Sequence, residues 1–360
     1  MKNIKNEKNK FKLFKIGIAT LPLITLSFLP ISCTPPKSDT NKITIEDMVG
    51  DKVNITKNPK KVACISRTSY DLLVAFGLEK NIAGVFSNIK NNPWTKFFDE
   101  NINKKATLQY KESEESLLSQ NVDLVFSPEK YLSDMWNKAR IPAATISLYH
   151  NNGFKNYVYY YADLITKIWD SKEVKQKAET WKNLMQKAID EVSQKISKSN
   201  LPKKSIYYVR GDKNRGINYT DNGNSFIEYI YSDLFNLDYI GKRFINPQPS
   251  IEEVIKANPD FISLGGTYQN DLRKTLLKDY SHLQAIKNNK YFNIPLGLTP
   301  FEQLNIFSSA FIYDQANKIY PELFKFDVKN EIIKISKIFF NKDLSNELVD
   351  RMLKGLPFNG

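Results

Sequence analysis

Apolar positions along the chain follow two alternating periods. ITIEDMVGDKVNIT, from position 43, holds two short apolar runs around Gly50-Asp51 and predicts a β-hairpin. KKVACIS then predicts a strand, SYDLLVAFGLEKN carries helical spacing ended at Gly77, and IAGVFS returns to a strand. DLVFS and AATISL continue the series through a helix around Leu132 to Arg140. Strand and helix in alternation predict a mostly parallel sheet flanked by helices.

Residues 154–200 break this rhythm. After a tyrosine-rich helix, SKEVKQKAETWKNLMQKAIDEVSQKISKSN sets Ala178, Trp181, Met185, Ala188, Val192 and Ile196 at steps of three and four, one apolar stripe along a single helix. At 1.5 Å per residue such a helix is about 40 Å long, more than one lobe needs, and predicts a strut. Beyond Pro202 the alternation restarts with SIYYV, a helix from Ser225 to Leu237, IEEVIKA, DFISL, a helix around Leu272 to Leu277, and YFNIP. Residues 329–354 are helical and amphipathic and are expected to pack back as a closing element. The expected fold class is therefore α/β: two lobes, each a mostly parallel sheet flanked by helices, bridged by a single long helix. The N-terminal lobe is placed at 43–153, the bridge at 154–200 and the C-terminal lobe at 201–360.

One corner occurs twice. SEESLLSQNVDLVFS, at 113–127, and SIEEVIKANPDFISL, at 250–264, align Asp123 with Asp260, Glu115 with Glu252 and Asn121 with Asn258. A repeat at so long a period means two related lobes, since a solenoid needs three or more short copies.

At 360 residues, 41% of them apolar and 12% aromatic, the chain is long and apolar enough to bury two cores. Lys2, Lys5, Lys8, Lys10, Lys12 and Lys15, offset only by Glu7, supply part of the net charge of +13, and the excess on the rest of the chain is moderate and dispersed. Downstream of Lys15 no window combines clustered basic residues with stacking aromatics, which excludes a nucleic-acid binder. The basic opening followed by the apolar run IGIATLPLITLSFLPIS has the layout of an export signal, interrupted by Pro22 and Pro30 and short of the 20 or so residues of a spanning helix. LPISC resembles the lipobox of bacterial lipoproteins, with Cys33 the residue that carries the acyl chains. Pro30 departs from the usual aliphatic residue. Residues 1–33 are thus expected to be a lipoprotein signal ending at the lipidated Cys33, and 34–42 a tether holding the body at the outer face of the cell membrane. The other cysteine, Cys64, lies in the apolar run VACIS and is expected to be a buried strand residue, with no disulfide within the chain.

ITIEDMVGDKVNITKNPKKVACIS, SYDLLVAFGLEKNIAGV, PSIEEVIKANPDFISL, LQAIKNNKYFNIP and IYPELF, taken in this order, resemble the substrate-binding proteins of ABC importers for ferric siderophores, haem and cobalamin. The resemblance covers nearly all of residues 42–325. It implies the class III, or cluster A, architecture, a monomer that takes a small-molecule metal chelate in the cleft between lobes and delivers it to a permease dimer. It also implies that one surface carboxylate per lobe pairs with arginines of the permease, and Glu115 and Glu252 occupy those positions. A ferric chelate is the first expectation for the cargo and haem or cobalamin the alternative. No resident cofactor is expected.

In open α/β sheets ligands sit beyond the carboxyl ends of the strands, and the loops there offer Arg67, Trp94, Tyr149, His150, Arg210, Tyr219 and Tyr268. Flat anionic chelates suit guanidinium forks and aromatic walls. Arg67 follows VACIS and Arg210 follows SIYYV at equivalent places in the two lobes. His150 is a candidate to complete the coordination of ferric or haem iron, while His282 is expected to be a surface or packing residue. Two separate histidines cannot assemble a site for bare zinc or manganese, so no directly bound metal is expected. G-x-S-x-G, H-E-x-x-H, C-x-x-C, G-x-x-x-x-G-K-[ST] and G-x-G-x-x-G are all missing, which argues against an enzyme. A surface adhesin or structural lipoprotein is the rival of another class, disfavoured by the short tether.

Overall fold

The computed structural model describes residues 41–147, 156–210, 214–267 and 269–359. Residues 1–40, with the export signal, Cys33 and most of the tether, lie outside the described residues, as do Tyr149, His150 and Tyr268. The hairpin predicted at the start pairs β1 (Lys42–Glu46) antiparallel to β2 (Lys52–Thr56). Its turn is closed by Asp47, whose Oδ1 accepts from the Val49 and Asp51 amides at 3.1 and 2.9 Å, with Gly50 at φ +87°. The same carboxylate's Oδ2 accepts from Thr145 N at 2.8 Å, docking the hairpin on the first lobe.

That lobe is a five-stranded sheet in the order β5-β4-β3-β6-β7, made from β3 (Val62–Cys64), β4 (Ile82–Phe86), β5 (Ala106–Leu108), β6 (Leu124–Ser127) and β7 (Ala143–Thr145). Every pairing is parallel. β3, β6 and β7 are buried at every position, which is why their sequences are continuous apolar runs: a parallel sheet covered on both faces has no solvent side. Burial pushes the Cys64 thiol up to about 12, so it is an inert core group. The second sheet has the order β11-β10-β8-β9, from β8 (Ser205–Val209), β9 (Asp238–Tyr239), β10 (Phe261–Leu264) and β11 (Tyr291–Asn293), again all parallel.

The bridging helix runs from Lys172 to Ser197, capped by the Ser171 hydroxyl, which accepts from Val174 N at 3.1 Å. Its buried residues are Val174, Ala178, Trp181, Met185, Ala188, Val192 and Ile196, the stripe expected from the sequence. Near its start Trp181 meets Phe76 of the first lobe edge-on, with centroids 6.3 Å apart. Further along, Tyr313 donates to Glu191 at 2.6 Å from the buried helix Ser308–Ile319. One core therefore runs from Val62 and Leu72 through this stripe to Ile206 and Phe311. The closing element is two helices, Val328–Phe340 and Asn346–Leu353, broken where Asn341 turns left-handed at φ +52°. The helix expected over 225–237 is a single α-turn, Phe226–Glu228, followed by a π-helical stretch, Tyr229–Leu234. No helix among the described residues is long and apolar enough to cross a membrane.

Trp181→Ala is expected to lower the unfolding free energy by about 3 to 5 kcal/mol, because the indole is fully buried where the bridge meets the first lobe. Urea denaturation followed by circular dichroism measures it, and a loss under about 1 kcal/mol contradicts the role given to the stripe.

Candidate functional site

The repeated corner folds the same way twice. Ser113 caps the helix Glu114–Ser119 by accepting from Ser116 N, and Ser250 caps Ile251–Ala257 by accepting from Glu253 N, each at 3.2 Å. In the second copy Glu253 returns a bond to Ser250 N at 2.7 Å, completing a capping box. Asn121 and Asn258 leave the helices with positive φ, +52° and +40°, a conformation asparagine tolerates better than other non-glycine residues. Asp123 then accepts from Lys60 N and Lys61 N at 2.7 and 2.9 Å, and Asp260 from Ser205 N and Ser205 Oγ at 2.7 and 2.8 Å. Each aspartate thus pins the lead-in to the first strand of its own lobe, β3 or β8. Glu115 and Glu252 sit in the first helical turns, exposed, and neither makes an ion pair among the described residues. The exposed side chains of Leu118 and Ile251 lie beside them on the same two helices.

At the carboxyl end of β3, Arg67 opens the helix Arg67–Ala75 and is half-buried. At the equivalent end of β8 the structure builds a denser cluster. Arg210 Nη1 meets Asp221 Oδ1 at 2.6 Å, and the Arg210 amide donates to Tyr219 O at 2.8 Å, bringing Tyr219 against the strand end. Tyr219, 8% exposed, has the Arg215 guanidinium 4.0 Å from its ring centroid and that of Arg210 at 5.3 Å. Tyr239 donates to Asp221 O, and Gly241 lets that carbonyl approach: a Cβ there would lie 2.4 Å from it. Below the cluster, Glu302 is buried against the end of β10, its Oε1 accepting from Gly266 N at 2.6 Å and from the Tyr208 hydroxyl at 3.2 Å. Burial, with Asp221 adding to it, pushes the Glu302 carboxyl up to about 7.

Of the residues expected at the cleft, Arg210 and Tyr219 are brought together and Arg67 stands at the matching end of the other sheet. Trp94 takes a different place. Its ring is completely buried among Phe97, Phe98 and Phe358, and its indole N–H donates to Leu356 O at 2.9 Å. A tryptophan in a loop after a strand can turn inward as readily as outward, and here an aromatic cluster satisfies both its ring and its donor, so it packs the lobe instead of walling the cleft. His282 is exposed, as expected. Sequence reasoning missed Asp221, Tyr208 and Glu302. The only trace of Glu302 in the chain is a lone carboxylate inside the otherwise apolar and neutral run YFNIPLGLTPFEQLNIF.

Residues 62–296 match the model of the periplasmic binding protein family. The chain belongs to that family. It is 20% identical over 295 residues to an uncharacterized ABC transporter substrate-binding lipoprotein of Bacillus subtilis, YvrC, covering 80% of this chain and 89% of that one. Its fold is similar to that of the molybdate-binding protein MolA of Haemophilus influenzae, with a TM-score of 0.70 and 18% identity over 84% of this chain and 99% of the other. Its fold is also similar to that of an ABC-type Fe3+-hydroxamate transport system protein of Saccharomonospora viridis, with a TM-score of 0.59 and 14% identity over 77% of this chain and 99% of the other. The family is one of periplasmic binding proteins, solute binders and not enzymes.

Gly265→Ala is expected to displace Glu302, since the added Cβ would lie 2.6 Å from its Oε1 and 2.7 Å from the Tyr208 ring. Thermal unfolding should register a loss of about 1 to 3 kcal/mol. An unchanged midpoint contradicts the close docking of Glu302 on β10.

Proposed function

We propose that this protein is the lipid-anchored, extracytoplasmic receptor of an ABC importer, and that it captures a metal chelate, a ferric one first, between its lobes. The observation that carries the reading is the Arg210–Tyr219–Arg215 stack beyond β8, with Arg67 at the corresponding strand end beyond β3. Guanidinium groups layered on an aromatic ring present a flat, cationic, hydrogen-bonding surface, which complements a flat or globular anionic complex. Arg210 is held in place by Asp221, so its planar fork is oriented before any ligand arrives. The lipobox-like LPISC and the lipoprotein relative support anchoring through Cys33.

Delivery is assigned to the twinned corners. A two-fold permease presents two equivalent sockets, and Glu115 and Glu252 offer one exposed carboxylate per lobe on matching helix starts. Complementing two helix dipoles, worth about 0.3 to 1 kcal/mol each, is the rival role for these carboxylates, and charge reversal separates it from docking because only docking is read in uptake.

Titrating the purified protein with ferric siderophores, haem, cobalamin and molybdate while following tryptophan fluorescence tests the cargo. Saturable quenching by a ferric chelate, weakened at least tenfold in Arg210→Ala, is expected, and saturation by molybdate or haem alone overturns the ranking. Reversal of both pegs, Glu115→Lys with Glu252→Lys, is expected to abolish uptake in cells while leaving affinity unchanged. Equal loss of affinity shows that the pegs are misassigned.

A further inference from the structure

Pro295–Phe307 joins β11 to the buried helix Ser308–Ile319 without helix or strand of its own, yet every residue in it is buried except Gln303, which is half-buried. A loop so deep must find partners for its backbone inside the protein, and it finds them in both lobes. From the first lobe, Asn92 Nδ2 donates to Gly297 O at 3.1 Å and Leu298 O at 2.8 Å, and Asp71 Oδ1 accepts from Ile306 N at 3.0 Å. To the second lobe the loop sends Glu302, which receives Gly266 N and the Tyr208 hydroxyl. The segment is a strap with a buried carboxyl at each fastening.

Both carboxyls are only half used. Among the described residues Asp71 Oδ2 and Glu302 Oε2 are buried without a hydrogen-bond partner, and the Thr299 hydroxyl lies beside Asp71 without reaching hydrogen-bond geometry. The groups facing Asp71 are the phenols of Tyr70 and Tyr161, and those facing Glu302 are the phenols of Tyr208 and Tyr231 together with Asp221, itself paired to Arg210. The phenols are held above their ordinary range by burial and stay neutral, so among the described residues no cation compensates either carboxylate directly.

We propose that Pro295–Phe307 is a proton-set strap between the lobes, closed firmly while Asp71 and Glu302 are neutral and opening locally as they ionise. The direction follows from linkage. Burial raises both groups to about 7, whereas in a locally opened strap water would solvate them and return them toward the ordinary carboxylate range. Between those limits the closed form holds protons that the open form has lost, so closure weakens as pH rises and levels off once the closed form is also ionised.

Hydrogen exchange of the full protein, corrected for intrinsic rates, tests this without any cargo. Protection of the strap amides, Phe301, Gln303 and Ile306, is expected to fall at least tenfold from pH 5.5 to 7.5 and to flatten above pH 8. The isosteric pair Asp71→Asn with Glu302→Gln is expected to remove that slope. A wild-type slope of zero overturns the proposal whatever the variants do, and so does strap protection equal to that of the β6 amides at every pH, which would mean that the strap opens only with global unfolding.

Discussion

A single apolar stripe, Val174 through Ile196, is the constraint on which the two-lobed arrangement rests. Each sheet is short-stranded and parallel and must cover both faces, and in each lobe one covering surface is shared with the same helix. The outer faces have cores of their own, around Leu117 and Trp136 in the first lobe and around Val254 and Leu276 in the second. The inner faces instead merge through Trp181, Met185 and Val192. A helix bound along its length to both lobes restrains large hinge motion, since swinging one lobe would peel apolar surface off the stripe at roughly 25 cal/mol per Å².

This stiffness gives the strand-end loops their chemical interest. Arg67 and Arg210 leave corresponding ends of two rigid sheets, and Asp221, Tyr219 and Gly241 fix the second of them in place. The strap beneath adds a second connection between lobes, in which hydrogen bonds from Asn92 and Gly266 and to Asp71 accompany the apolar packing of Leu296, Phe301 and Ile306. The two connections answer to different variables, the first to packing and the second to protonation.

Much of the fold was legible because its signals are local and periodic. The stripe on the bridge, the continuous apolar strands VAC and LVFS, and the repeated serine caps follow from neighbours a few positions apart. The edge strands β5 and β9 were not legible, being too short to show a period. Nor was Ser308–Ile319, which is buried on nearly all sides and so lacks the polar face that marks an amphipathic helix. The π-helical stretch and the break at Asn341 divide segments whose composition reads as continuous helix. At the site the basic residues were visible, but what holds them was not. Asp221 reaches Arg210 across an irregular loop that shows no period, Glu302 meets Tyr208 and Gly266 only after distant segments converge, and Trp94 shows that a strand-end position fixes a residue's place without fixing the direction of its side chain.

The environment of Trp94 also bears on the order in which the molecule is completed. Its donor and part of its ring contact are supplied by Leu356 and Phe358, 262 positions and more downstream. Folding of the early lobe therefore leaves an aromatic hollow unsealed until those late residues dock, so the lobe cannot be finished before the far end of the chain is in place.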